Sequence, residues 1–180
     1  FIIAEVGINH EGNFQLAKKM TQAAFLSGAD AVKFQIVDAD QSYSKNTLSY
    51  AIYKKSKLSD NQYKVLFNDF KSKGIVFATP GDFKSLDLCK KLNNPLYKVS
   101  SGLLNNLPLL REINKTKKPI IASTGMANDD EILKVLSSFK NYRNSSVALL
   151  HCISLYPVSI DLINLNSICY MKDKYKRVIG

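Results

Sequence analysis

The stretch Ala31-Val32-Lys33-Phe34-Gln35 is a short apolar run that contains a lysine and ends in a polar side chain. Five further apolar runs end in small polar or charged residues in the same way, at 1–6, 75–79, 97–101, 119–124 and 147–152. Helical patterns lie between most of these runs. Because each run has the length of a strand, the alternation predicts parallel β-strands joined by α-helices.

Two α/β architectures produce this alternation, the (β/α)8 barrel and the open doubly wound sheet. Functional side chains collect at the carboxyl ends of barrel strands, so the polar strand ends favour the barrel. A complete barrel needs eight strands and about 250 residues, whereas this chain of 180 residues has six strands and, at 178–180, the beginning of a seventh. We therefore expect residues 1–180 to form one partial TIM barrel of about six βα units, cut at both ends, with open edges along strands one and six.

Hydrophobic spacing and capping residues predict the helices between the strands. They are expected at 13–27, 48–55, 59–74, 82–92, 107–115, 129–139 and 160–171. One connection is unusually long: a polar stretch of about 20 residues, 36–57, follows the second strand and contains the short helix 48–55. A connection of that length within a compact domain is usually functional.

The chain is basic, with a net charge of +10, but its lysines are spread over helices and loops. Since no basic run is interleaved with aromatic residues, we expect no nucleic-acid partner; attraction of a small anion fits the charge equally well. No apolar run reaches the roughly 18 residues that a membrane span requires. Cys89, Cys152 and Cys169 lack the spacing of a zinc site or a disulfide framework, and we expect reduced, mostly buried thiols in a cytoplasmic protein.

Two lysines, Lys33 and Lys98, lie within predicted strands, where an ammonium group without a partner is costly to bury. Together with hydroxyl groups at strand ends, they predict a site for a multiply charged anion. These hydroxyls belong to Thr79, Ser100, Ser101, Ser123 and Thr124. The amides of 123–125 precede a helix and are expected to face the same anion. Two alternatives stay open: lysines that extend into solvent at the rim, and a lysine that forms a Schiff base.

Glu5 ends the first strand, where a carboxylate can accept substrate hydroxyls, relay a proton or hold a metal-bound water. The alternative is a buried ion pair with Lys33 on the adjacent strand. Asn9 and His10 are typical of residues that fix a turn. Because His10 and His151 are the only histidines, this chain cannot supply a complete histidine metal site. The motifs of serine hydrolases, P-loop nucleotidases, Rossmann enzymes and zincins are absent from the sequence.

Five linked segments carry a family resemblance that extends over essentially the whole chain: 4–12, 28–35, 97–102, 118–126 and 149–157. Their order and spacing closely resemble the sialic acid synthase family, which includes synthases of N-acetylneuraminate, legionaminate and pseudaminate. The resemblance implies a TIM barrel that condenses phosphoenolpyruvate with an open-chain N-acetylated amino hexose, either N-acetylmannosamine or a 2,4-diacetamido analogue. The products would be a nine-carbon 2-keto acid and phosphate.

The resemblance also implies a cofactor and a partner. A divalent metal, manganese or magnesium, would polarise the sugar aldehyde as a Lewis acid. Its two histidine ligands would lie on later strands, so we expect no metal ligand within this segment. The rest of the barrel and a C-terminal antifreeze-like domain, which completes the sugar site across a homodimer, would likewise lie outside it.

Site residues follow from the resemblance position by position, with Glu5, Lys33 and Lys98 as the catalytic group. The phosphate would be surrounded by Lys33, Lys98, Ser123, Ser154 and Tyr156. Thr79 and Ser101 would hold the carboxylate of phosphoenolpyruvate. Glu5 and Gln35 would contact the sugar or the reacting centre, Tyr156 would touch both substrates, and the connection 36–57 would cover the sugar with Asn46 as a further contact.

Three positions depart from the family pattern: Leu103 stands where an acidic residue is usual, Ser100 replaces a glycine, and Gly81 replaces an aromatic residue. These changes affect the sugar side and proton transfer rather than the anion pocket. Two other functions stay open, a synthase of eight- or seven-carbon keto acids that uses another aldose, and a degenerate barrel that only binds or scaffolds. The segments 9–12 and 123–126 favour the sialic acid group.

Overall fold

The computed structural model describes residues 1–139 and 146–180. The chain divides into two compact units, Phe1–Pro95 and Leu96–Gly180. Each unit alternates parallel strands with helices. Within the residues that are described, no helix is both long enough and apolar enough to cross a membrane.

The first unit contains three parallel strands with β2 in the middle: β1 Ile3–Gly7, β2 Ala31–Ile36 and β3 Ile75–Pro80. Its helices are α1 Phe14–Leu26, α2 Ala39–Ser42, α3 Leu48–Lys55, α4 Asp60–Phe70 and α5 Phe83–Lys91. Short polar side chains begin the longer helices, because each accepts a hydrogen bond from an otherwise unpaired amide of the first turn. Asn13 caps α1, and Ser59 forms a capping box with Gln62 at the start of α4.

The second unit contains four parallel strands that pair in chain order: β4 Tyr97–Val99, β5 Ile120–Ser123, β6 Val147–Leu150 and β7 Val178–Ile179. Its helices are α6 Leu107–Asn114, α7 Asp129–Ser138 and α8 Asn166–Tyr175. Asn128 and Glu131 form a capping box on α7. The predicted helices 13–27, 48–55, 59–74, 82–92, 107–115 and 129–139 are all confirmed to within a few residues.

Three details of the prediction are wrong. The helix expected at 160–171 is a 3-10 turn, Ile160–Leu162, followed by α8, because Asn164 adopts a left-handed backbone conformation (φ 46°) that interrupts the helix. Strand six is not an edge, since β7 pairs with it. The free cysteines are not mostly buried: Cys89 is buried, Cys152 is half-buried and Cys169 is exposed.

Burial along the strands explains why the site residues lie where they do. In β2, the apolar side chains Val32, Phe34 and Ile36 are buried among helices, as expected for a parallel strand covered on its outer face. Side chains alternate along a strand, so Lys33 and Gln35 face the opposite side. The apolar side chains thereby pack against the helices, and the opposite face of β2 carries the polar side chains of the candidate site.

Candidate active site

The first unit brings together three of the predicted site residues at the ends of its strands. In the register of the sheet, Glu5 lies beside Lys33, and the carboxylate and ammonium groups form an ion pair. The Lys33 Nζ also lies 3.3 Å from the Thr79 Oγ1. The Lys33 side chain is only 7% exposed, whereas that of Glu5 is 48% exposed. The buried ammonium group is thus compensated by a carboxylate that solvent and ligands can still reach.

This geometry excludes one of the alternatives for Lys33, a position at the rim. A rim lysine would place its ammonium group in water, but the Lys33 ammonium group is buried between Glu5 and Thr79. The ion pair considered for Glu5 is confirmed, but it is buried only on the side of Lys33. It is compatible with a catalytic role, because the carboxylate keeps an exposed side.

Gly7, at the end of β1, lies close to the side chains of Glu5 and Gln35. The β1 ladder shifts register between Glu5 and Gly7, and Gly7 has a φ of +56°, a conformation that favours glycine. A Cβ atom added at Gly7 would lie 3.1 Å from the Glu5 Oε1 and 3.7 Å from the Gln35 Nε2. The Glu5 carboxylate and the Gln35 amide therefore lie on the same side of Gly7, where any larger residue would crowd the carboxylate.

Sequence reasoning missed Tyr53, which contacts Gln35. Its hydroxyl donates a hydrogen bond of 2.9 Å to the Gln35 Oε1. Tyr53 lies on α3, inside the connection 36–57, and its ring stacks on Tyr43 at a centroid distance of 5.1 Å. Burial raises the pKa of Tyr53 to about 12, with Tyr43 and Glu5 adding to the shift. In the sequence, the only signal for Tyr53 is its place in an unusually long connection. Asn46, the predicted contact in the same connection, is exposed.

In the second unit, Lys98 is the centre of a separate cluster. Its Nζ donates to the Ser123 Oγ at 2.5 Å and to the Val99 carbonyl oxygen at 2.8 Å. Lys98 is 8% exposed, so it too is buried rather than extended into solvent. The Cys152 thiol donates to the same Ser123 Oγ at 3.3 Å. A lysine and a serine from neighbouring strands thus form a compact polar group that can bind an anion.

Gly125 lies close to two further serines of this unit, Ser101 and Ser154. The Gly125 amide donates to the Ser101 Oγ at 3.1 Å. A Cβ atom added at Gly125 would lie 2.6 Å from the Cys152 carbonyl oxygen and 2.9 Å from the Ser154 Oγ. Only glycine permits this close approach. Tyr156, by contrast, is 95% exposed and forms no hydrogen bond with another residue of the described ranges.

The predicted role of the amides of 123–125 is wrong for Thr124 and Gly125. Thr124 N–H donates to the Leu150 carbonyl oxygen, and Gly125 N–H donates to Ser101. The first turn of α7 begins only at Asp129. These two amides therefore tie the β5 end to its neighbours, and side chains rather than these amides are available to an anion.

The residues that the structure describes do not fit a metal centre. Across 1–139 and 146–180, no group of three or more His, Cys, Asp or Glu side chains is arranged to hold an ion. The fully buried His10 accepts a hydrogen bond from the Gly12 amide through its Nδ1, which confirms its role in fixing the turn. The His151 Nε2 lies 2.7 Å from the Ile163 carbonyl oxygen.

We expect His10 to make stability depend on pH. Burial lowers its pKa below the usual 6.5, so the native state binds a proton more weakly than the unfolded chain does. Stability should therefore fall as the pH falls below about 6.5, by at most about 1.4 kcal/mol per pH unit from this group. Urea unfolding of the full-length protein between pH 5 and 8 measures this slope. His10→Gln should flatten it, and an unchanged slope in that variant would contradict the expectation.

The chain is similar to one protein family over most of its length. The chain matches the NeuB family over residues 20–180. It belongs to the NeuB family. The predicted relationship to the sialic acid synthases is thereby confirmed, because named NeuB relatives are synthases of legionaminic, pseudaminic and N-acetylneuraminic acids.

Individual relatives have substantial identity over the whole chain. The N,N'-diacetyllegionaminic acid synthase of Legionella pneumophila is 36% identical, over 100% of this chain and 56% of that protein. The pseudaminic acid synthase of Campylobacter jejuni is 32% identical, over 100% of this chain and 57% of that protein. The chain thus spans a little over half the length of these curated NeuB relatives.

A solved structure in the same family confirms the fold. The N-acetylneuraminic acid synthetase of Leptospira borgpetersenii matches with a TM-score of 0.94 at 32% identity, over 100% of this chain and 63% of that one. Parallel strands alternate with helices throughout the described ranges. The prediction of a TIM barrel that is incomplete in this segment is confirmed.

Proposed function

We propose that this chain is part of an enzyme that condenses phosphoenolpyruvate with an open-chain N-acetylated amino hexose. The acceptor is N-acetylmannosamine or a 2,4-diacetamido analogue, and the products are a nine-carbon 2-keto acid and phosphate. The observation that carries this proposal is the buried Lys98–Ser123 group at the strand ends of a NeuB family protein. A buried cation with adjoining hydroxyls suits a phosphate ester.

In the proposed reaction, C3 of phosphoenolpyruvate attacks the sugar aldehyde and forms the new carbon–carbon bond. The positive character that develops at C2 is quenched by water, and the tetrahedral intermediate expels phosphate to leave the 2-keto group. Lys98 and Ser123 would balance the phosphate charge, with Ser154 as a further hydroxyl and Tyr156 as an exposed side chain that can close on the substrates. Thr79 and Ser101 would hold the substrate carboxylate.

The Glu5–Lys33 pair would serve the sugar and the reacting centre. Glu5 is half-exposed and lies beside Gly7 together with the Gln35 amide. A carboxylate in that position can accept a sugar hydroxyl or move a proton. Leu103 stands where an acidic residue is usual in the family, and it has no titratable group. We therefore propose that Glu5 carries out the proton transfer. Lys33 would keep the carboxylate in place and add positive charge for the phosphate.

The proposal includes a divalent metal, a homodimer and a cytoplasmic location. Manganese or magnesium would polarise the aldehyde, with ligands from outside residues 1–180, since the described residues do not fit a centre. Small molecules are the proposed substrates. The three free cysteines are consistent with a reducing compartment.

Steady-state assays of the full-length protein test the proposed function. We expect phosphate release from phosphoenolpyruvate only when an N-acetylated hexosamine and Mn²⁺ or Mg²⁺ are both present. Mass spectrometry should then find the nine-carbon keto acid. Phosphate release with pentose or tetrose phosphates, and none with amino sugars, would instead support the synthases of shorter keto acids. No turnover with any aldose, from folded and metal-loaded protein, would support a barrel that only binds.

A further inference from the structure

The Gln35 amide is held at one end by a residue that none of the sequence motifs includes. Tyr53 donates its hydroxyl hydrogen to the Gln35 Oε1 over 2.9 Å. A glutamine amide has one oxygen acceptor and two N–H donors. With its oxygen engaged by Tyr53, the Gln35 side chain has its Nε2 on the side of Gly7 and Glu5.

Tyr53 is itself held firmly in place. Its ring stacks on Tyr43 with an interplanar angle of 17° and lines a cavity of about 210 Å³ within the first unit. The last residue of α3, Lys55, lies against the β1–α1 turn, where a Cβ atom added at Gly12 would lie only 2.5 Å from the Lys55 carbonyl oxygen. These contacts hold the connection 36–57 in place. From it, the Tyr53 hydroxyl reaches Gln35 on strand β2.

We propose that Tyr53 is a positioning residue that turns the Nε2 of Gln35, rather than its carbonyl oxygen, toward the acceptor sugar. The inference rests on the proposed function. Gln35 then selects a sugar group that accepts a hydrogen bond, and the carbonyl oxygen of an N-acyl group is such an acceptor and cannot donate. Glu5, which only accepts, complements it by taking a hydroxyl or an N–H of the same sugar.

The effect of Tyr53 is expected on sugar binding and not on phosphoenolpyruvate. Tyr53→Phe keeps the ring, the stack on Tyr43 and the cavity wall, and removes only the hydroxyl. The amide can then rotate, and part of the population presents the wrong atom. We expect the KM for N-acetylmannosamine, or for the diacetamido sugar if that is the substrate, to rise about fivefold to tenfold, the scale of one hydrogen bond. The KM for phosphoenolpyruvate and the kcat should stay within about twofold.

Tyr170→Phe is the matched control. Tyr170 lies on α8, outside the proposed sugar site, is half-exposed, and its hydroxyl donates to the Asp129 Oδ2 at 2.5 Å. This change should leave both KM values unaltered. Because the pKa of Tyr53 is about 12, its hydroxyl stays protonated, and the difference between Tyr53→Phe and wild type should be the same at pH 7 and pH 9.

A double-mutant cycle with Gln35→Glu tests the orientation directly. That change keeps an oxygen for Tyr53 and removes the N–H donors, so it should raise the sugar KM in both backgrounds. In the Gln35→Glu background, which lacks the N–H donors, Tyr53→Phe should raise the sugar KM little further. Additive effects, a sugar KM equal to wild type in Tyr53→Phe, or a joint loss of kcat, both KM values and melting temperature would overturn the inference.

Calorimetry with the free sugar distinguishes failure of this inference from failure of the proposed function. If the wild-type protein binds N-acetylmannosamine but does not turn over, the proposed chemistry fails. The Tyr53 inference then depends on whether Tyr53→Phe weakens the affinity fivefold to tenfold; unchanged affinity overturns it. If the wild-type protein turns over and the variant is indistinguishable from it, only the inference fails. If neither N-acetylmannosamine nor a diacetamido sugar binds, both are overturned.

Discussion

Lys98→Ala is expected to lower kcat/KM for phosphoenolpyruvate by about 30- to 1000-fold in the full-length protein. The Lys98 ammonium group is buried beside Ser123 at the end of β4, where it would contact a phosphate that is partly removed from water. Losing such a charge-assisted contact costs roughly 2–4 kcal/mol. Its effect should fall on phosphoenolpyruvate far more than on the amino sugar.

Steady-state kinetics with each substrate varied in turn measures this asymmetry. Lys134→Ala is the control, because Lys134 is an exposed lysine on α7 of the same unit. Lys98→Arg should restore little, since a planar guanidinium does not replace a compact ammonium in a tight space. Circular dichroism checks that each variant is folded. Near-normal phosphoenolpyruvate kinetics in Lys98→Ala would remove Lys98 from the anion site.

Gly125→Ala is expected to destabilise the protein by about 2–3 kcal/mol, the cost of forcing atoms into a packed site. The added Cβ would lie 2.6 Å from the Cys152 carbonyl oxygen, a distance that Cβ atoms essentially never show, and that oxygen belongs to the backbone. Relief requires β5 and the 152–154 segment to separate, which also moves Ser101 and Ser154. Activity should therefore fall together with stability.

Gly102→Ala provides a matched comparison within the same unit. A Cβ atom at Gly102 would meet no atom within 4 Å, so its stability should change by less than about 0.5 kcal/mol. Urea unfolding of the two variants and the wild type measures the difference. Equal stability of Gly125→Ala and Gly102→Ala would show that the contact at Gly125 relaxes without cost.

Much of the fold could be predicted because its signals are local. Alternation along 31–36 places Val32, Phe34 and Ile36 on one face of β2 and Lys33 and Gln35 on the other. Capping residues such as Asn13 and Ser59 accept hydrogen bonds from amides only three residues away. Where a local signal was misleading, as at 160–171, a single left-handed residue had interrupted a favourable helical pattern.

The candidate site could be predicted only in part. Lysines within strands indicated an anion site, and the structure buries both with hydroxyl partners, Lys33 with Thr79 and Lys98 with Ser123. The orientation of the groups could not be predicted. The amides of Thr124 and Gly125, which precede a helix in the sequence, donate instead to Leu150 and Ser101, which belong to segments distant in the sequence.

The sequence by itself therefore determined the strands, the helices, the family and the residue types at the strand ends. These depend on periodicity and on short motifs, which act over a few neighbouring residues. Only the tertiary structure decided that Tyr53 holds the Gln35 amide, that Glu5 neutralises Lys33 and that Gly125 admits no Cβ. Those contacts join residues 18 to 28 positions apart in the chain, and their geometry is set by how the helices pack the strands together, which no local pattern encodes.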